Sequence, residues 1–193
     1  MEKIIFSIFR TRLGDILAAK SKKGLSALFF GDDPGELEEA LQSEFPGAKL
    51  INREDPLFST ICHALEDLSK PLPNLPLDLR GTPFQLCVWE CLQKIPRGST
   101  MSYSQIATQI GHPKAARAVG RACATNRIAI FIPCHRAIHA DGSLSGSVGR
   151  RTKTNHSETR GCFTPTKLAE RYLASDFCVQ GNELLLILKH DCL

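Results

Sequence analysis

The stretch KPLPNLPLDLRGTP, residues 70–83, constrains this chain more than any other feature, because it holds four prolines and no helical period. Proline fixes φ and removes a backbone donor, so the stretch can neither continue a helix nor sit inside a sheet, and it reads as an extended connector. It divides the 193 residues into a leading segment, 1–80, and a following segment from residue 81. That length allows a small N-terminal domain beside a slightly larger C-terminal one.

The two segments differ in pattern and in charge. In the leading one, IIFSIFRTRLGDILAAKSKKGLSALFFGD alternates β-rich apolar runs with turns at Gly14-Asp15 and Lys23-Gly24, which predicts a small antiparallel sheet of two or three strands. PGELEEALQSEF, from Pro34 to Phe45, opens on proline and acids and spaces Leu37, Leu41 and Phe45 by four, as an amphipathic helix does. A second helix is expected from Leu57 to Leu68. Residues 1–80 hold 10 Lys+Arg against 13 Asp+Glu, or −3, whereas residues 81–160 hold 11 against 3, or +8. The basic segment is where a phosphate backbone would be met, although solvated lysines also produce such asymmetry.

Composition excludes several classes. With 42% hydrophobic and 23% charged residues the chain is neither disordered nor fibrous. MEKIIFSIFRTRLGD lacks the pattern of a signal peptide, and no run approaches the roughly 18 apolar residues of a membrane helix. A cytoplasmic location without a membrane partner is expected. The eight cysteines, at 62, 87, 91, 123, 134, 162, 178 and 192, are irregularly spaced, as in a chain of reduced thiols. Cys87 and Cys91 lie four apart on the predicted helix PFQLCVWECLQKI, but no Cys or His pair follows at metal spacing, so both are expected to be core thiols. That helix should bury Phe84, Val88, Cys91 and Leu92.

SYSQIATQIG, HPK and AARAVGRACATN follow in order, two short helical stretches joined by a tight turn with Gly111 and Pro113. This is the form of a helix-turn-helix, with Arg117 and Arg121 one turn apart on the second helix; an ordinary helical hairpin would read the same way. Next, NRIAIFIPCHRAIHADGSLSG offers an apolar strand, Ile128 to Ile132, leading to Pro133-Cys134-His135-Arg136. A cysteine beside a histidine and an arginine has the electropositive surroundings that favour a thiolate, which makes Cys134 the candidate nucleophile.

IPCHR with Asn126 eight residues before the cysteine, SYSQIA and KAARAVG upstream and DGSLSG downstream resemble the O6-alkylguanine-DNA alkyltransferase family. The resemblance extends through PLDLRGTPFQLCVW and LGDILAAKSKKGLSALFFGDD, covering residues 1 to about 146, and is greatest with the alkyltransferase half of the bacterial adaptive-response protein. It implies a ribonuclease-H-like α/β N-terminal domain, residues 1–80, then a mostly α domain with the helix-turn-helix, residues 81–160, leaving 161–193 as a divergent tail. It also implies DNA repair by single-turnover transfer of a methyl or alkyl group from O6-alkylguanine in double-stranded DNA to Cys134. On this resemblance His135, through a water, takes the thiol proton, and Tyr103 donates toward guanine N3. Asn126 ties the helix pair to the active-site turn. The second helix enters the minor groove with Ala116 and Arg121 near DNA, Arg117 replaces the flipped base, and Pro133 and Ser145 line the pocket. No cofactor or metal is implied, and the protein would act as a monomer. Taken singly, Tyr103 could cap a core, Arg117 bind a phosphate and Asn126 serve a turn.

From Ser147 the chain departs from the family pattern, which continues with a tyrosine, an Arg-Trp-Gly-like turn and a helix Arg-Lys-x-x-Leu-Leu-x-x-Glu, its glutamate orienting the catalytic histidine. SVGRRTKTNHSETRGCF instead reads as a polar loop, and Glu158 and Glu170, the nearest acids, lack that context. PTKLAERYLASDF and NELLLILKH, further on, are helix candidates without a family counterpart. Codons chosen from the degenerate sets for Ser147 to Gly161, read one nucleotide later, encode Arg-Trp-Gly-Glu-Glu-Arg-Lys-Gln-Ile-Ile-Leu-Arg-Arg-Glu, so a shifted reading frame is expected. The alternatives in other classes are a lesion-binding DNA module that transfers poorly and a helix-turn-helix regulator that leaves Cys134 unalkylated.

Overall fold

The computed structural model of the chain describes residues 1–11 and 13–140. The leading sequence folds as it predicts into three antiparallel strands, β1 (Lys3–Thr11), β2 (Gly14–Lys20) and β3 (Leu25–Gly31). A fourth strand, β4 (Lys49–Asn52), adds parallel to β1, so the sheet is mixed, in the order β3-β2-β1-β4. KLIN is too short to announce itself, and only the return of the chain after the first helix brings it to β1.

Strand alternation sets two faces. Ile4, Phe6, Leu17, Ala19 and Ala27 form a small core with Leu37, Leu41 and Phe45 under helix α1 (Pro34–Glu44). Ile16, Ala18, Leu28 and Phe30 face the other way, into a larger core shared with Phe58, Ile61 and Leu65 of helix α2 (Pro56–Glu66). Both helices begin at a proline capped by an aspartate. Asp33 accepts from the Gly35 and Glu36 amides and Asp55 from Leu57, caps worth about 1 kcal/mol each.

The connector is extended, as predicted, and is bonded to the sheet. Leu25 N donates to Pro76 O at 2.8 Å and Asp78 N to Leu25 O at 2.8 Å, which lays Leu77 beside the β3 edge. Gly24 makes this approach possible: its φ is +146°, and a Cβ there would stand 2.1 Å from the Pro76 carbonyl oxygen. Beyond the connector come helices α3 (Pro83–Gln93), α4 (Tyr103–Gln109) and α5 (Ala116–Ala124). Thr82 with Gln85, and Ser102 with Gln105, form capping boxes that start α3 and α4. A two-residue parallel pair, β5 (Met101–Ser102) and β6 (Ala137–Ile138), closes the described part.

The larger core continues without a break across the connector. Val88, Trp89, Cys91 and Leu92 of α3, Ile106 of α4, Val119, Ala122 and Cys123 of α5, and Ile128, Ile130 and Ile132 join the same cluster as the sheet residues. The Trp89 indole N–H donates to Ala122 O at 2.9 Å, fixing α3 against α5; truncating such a buried Trp costs about 3–5 kcal/mol. Two expectations are corrected here. Cys87 is exposed while Cys91 is buried, because Trp89 and not residue 87 turns toward α5. Phe84 is only partly buried and meets His112 edge-on, with ring centroids 5.6 Å apart. Among the described residues no helix is long and apolar enough to cross a membrane.

Candidate active site

The run Ile128 to Ile132 has the composition of a strand, yet it folds as a tight turn. Ile132 N donates to Ile128 O at 3.1 Å and Phe131 N to Ala129 O at 2.9 Å. Asn126 overrides the β preference of these residues. Its Oδ1 accepts from Ile128 N at 2.9 Å and its Nδ2 donates to Ile132 O at 2.9 Å, so one amide side chain bridges both ends of the run. Ile130 between them has φ +73°, a left-handed conformation that costs a β-branched residue about 1–3 kcal/mol.

The same Asn126 Nδ2 lies 3.5 Å from Cys134 Sγ, within donating distance of the sulfur. Cys134 is half-buried and opens a single 3-10 turn, Cys134–Arg136, with its own N–H donating to Ile132 O at 2.8 Å. The Asn126 amide is thus a hydrogen-bond donor placed at the sulfur. Arg136, read from sequence only as a nearby charge, is buried and donates to Ile95 O at 2.8 Å, which fastens the turn to the end of α3. His135 is half-buried on that turn, and Pro133 is buried just before it.

Tyr103 is the first residue of α4 and is buried. The β5–β6 pairing sets it next to the segment after the cysteine, where His139 meets its ring edge-on at 5.2 Å and 86°. Gly120 of α5 also faces it, where an added Cβ would lie 4.0 Å from the ring. Nothing in the sequence marks His139, because its neighbour is set by strand pairing across more than 30 residues. Cys123 is also new to the site. Its burial, aided by the charge of nearby Cys134, pushes its thiol up to about 12, so it stays protonated at neutral pH.

Arg117 and Arg121 are exposed on α5, and Ala116 is half-buried at its start. The turn between α4 and α5 needs Gly111, at φ +79°, and is closed by His112 N donating to Ala107 O at 2.8 Å. Asn126, Pro133, Cys134 and His135 are thus brought into one turn, with Tyr103 joined to the chain that leaves it. Ser145 lies outside the described residues, as do Ser147, Glu158, Glu170 and the helix candidates beyond them.

The surroundings of Cys134 match known proteins. The family model for the 6-O-methylguanine DNA methyltransferase DNA binding domain matches residues 83–159. The bifunctional transcriptional activator/DNA repair enzyme Ada of Escherichia coli is 45% identical over 145 residues, 73% of this chain and 40% of that protein. The chain therefore spans about 40% of the length of that relative. The constitutive methylated-DNA–protein-cysteine methyltransferase of Bacillus subtilis is 34% identical over 152 residues, 77% of this chain and 88% of that protein. Among solved structures, Mycobacterium tuberculosis O6-methylguanine methyltransferase aligns with TM-score 0.64 and 28% identity over 95% of this chain and 99% of that one. Its complex with DNA aligns with TM-score 0.59 and 34% identity over 74% of this chain and 83% of that one. With sequence likeness that runs through both halves of the fold and most of a curated relative, this chain belongs to the methylated-DNA–protein-cysteine methyltransferase family.

Proposed function

We propose that this protein repairs DNA by taking a methyl or other alkyl group from O6 of guanine onto Cys134, once per molecule. The Cys134 sulfur attacks the O6-bound carbon in line, an S–C bond forms, and the C–O electron pair leaves with the guanine. His135 receives the thiol proton through a water, and Tyr103 supplies a proton toward N3 so that the base departs neutral. A thioether has no good leaving group, so the protein is not regenerated. The observation that carries this reading is the Asn126 amide bridging the strained turn and reaching the Cys134 sulfur at 3.5 Å.

Reaching an alkyl carbon inside a duplex requires the base to leave the stack. In this reading α4 and α5 act as the helix-turn-helix, with α5 in the minor groove, Ala116 and Arg121 against DNA, and Arg117 filling the vacated position. Residues 1–80 form the ribonuclease-H-like domain, 81–160 the DNA-binding and acceptor domain, and 161–193 the tail; Pro133 and Ser145 line the base pocket, and the protein works as a cytoplasmic monomer. That a relative of known structure is seen in complex with DNA supports the partner. The deciding experiment is intact mass after incubation with duplex DNA containing O6-methylguanine, followed by peptide mapping. A gain of one CH2 on Cys134 is expected. Binding of the modified duplex with no mass gain would instead identify a lesion-binding module.

A further inference from the structure

The open edge of β3 is where the active-site turn is fastened. Leu28 N donates to Arg127 O at 2.7 Å, and Leu28 and Ile128 form a parallel bridge, so the segment between α5 and the turn borrows the sheet as its anchor. The Arg127 side chain adds a second hold. Its Nε pairs with the Glu44 carboxylate at the end of α1, with both side chains about two-thirds covered, and its Nη1 lies 3.4 Å from Arg80 O in the connector. Asn126, the residue that bridges the turn and reaches Cys134, is the immediate neighbour of Arg127.

A β-branched residue in the left-handed region, such as Ile130, keeps that conformation only where its flanks are over-determined. The flank after the turn is fixed by Arg136 on Ile95 O, and the flank before it by the Leu28 and Glu44 contacts of Arg127. From these contacts we infer that Glu44 and Arg127 are a positioning pair for the nucleophile: the N-terminal α/β layer holds the turn in the strained form that sets the Cys134 thiol against Asn126. The inference rests on Cys134 as the alkyl acceptor, and it gives residues 1–80 a part in the reaction.

The test uses the full chain with Glu44→Gln, Arg127→Met and Arg127→Lys. Loosening a positioned group far from the reacting atoms is expected to lower the single-turnover transfer constant at saturating O6-methylguanine duplex by about tenfold in Glu44→Gln and in Arg127→Met. Affinity for the unmodified duplex should stay unchanged in Glu44→Gln. Arg127→Lys, which keeps the charge facing Glu44, should restore most of the rate. A second readout needs no DNA: iodoacetamide labelling of Cys134 relative to exposed Cys87, by peptide mass, should shift severalfold in the first two variants and return in the third. Wild-type transfer constants with an unchanged labelling ratio would overturn the inference. So would a rate loss that only follows the folded fraction seen by circular dichroism. If the unaltered protein accepts no alkyl group, the proposed function fails, and the labelling ratio alone still decides the positioning pair.

Discussion

At the scale of single residues, five thiols within the described part share one chain and differ widely in what surrounds them. Cys123 is buried and held up to about 12, Cys62 and Cys91 are also raised by burial, Cys87 is exposed, and Cys134 faces an amide donor. A thiol reacts as its thiolate. Iodoacetamide at pH 8 should therefore label Cys87 and Cys134 and leave Cys123 unmodified, and Cys134→Ala should abolish methyl uptake from DNA. Methyl found on Cys123 with Cys134 untouched would move the acceptor. Arg117 is exposed on α5, so its loss should leave the fold intact. Arg117→Ala is expected to slow reaction with a paired O6-methylguanine more than reaction with the free modified base. Equal slowing on both substrates would assign it a different task, and a shallower salt dependence of binding would mark it as a phosphate contact.

At the scale of elements, two glycines with positive φ have different surroundings and should respond differently. Gly111 ends α4 with open space around a would-be Cβ, so Gly111→Ala meets only the left-handed backbone penalty of about 1–2 kcal/mol. Gly24 faces the Pro76 carbonyl, so Gly24→Ala must push the connector off the β3 edge and break two backbone hydrogen bonds. Urea denaturation should show a small loss for the first and a loss several times larger for the second; equal losses would mean that the connector is held elsewhere. The start of the first helix was legible in the sequence, where proline and acids open PGELEEALQSEF, whereas the Asp55 cap and the Thr82–Gln85 and Ser102–Gln105 capping boxes emerged in the structure. It misled at Ile128 to Ile132, where local preference for strand is outweighed by the Asn126 side chain.

At the scale of the whole molecule, the N-terminus, connector and sheet are tied by charge. Arg80 pairs with Glu2 and Asp78, and Lys20 with Asp55, which also caps α2. Hydrogen bonding from Arg80 holds Glu2 below its usual 4.5. Burial raises Asp78 and Asp55, but bonds from Arg80 and Ser21, and from Lys20 and Leu57, outweigh it and leave both below their usual 3.8. A depressed carboxylate contributes stability above its unfolded value and loses it as pH falls through the folded one. The denaturation midpoint should therefore be steady near neutrality and fall below about pH 4, more steeply in the parent than in Asp78→Asn, by thermal melts across that range. The tail gives one more test. If the gene is out of frame from codon 147, restoring the other frame should speed transfer and raise the melting temperature, because it supplies an apolar helix to bury and a glutamate to orient His135. A gene that encodes the family helix in neither shifted frame would end that account.

What the sequence by itself determined is what short-range chemistry can specify. It predicted an extended connector at the prolines, two or three leading strands and the helices, and it pointed to Cys134 as the candidate nucleophile. What only the tertiary structure decided are the contacts made by residues distant in the chain: β4 beside β1, Arg136 on Ile95, His139 against Tyr103, and Arg127 held by Leu28 and Glu44. The physical reason is that periodicity and capping act over a few residues, whereas these pairings depend on where the folded sheet presents its open edge.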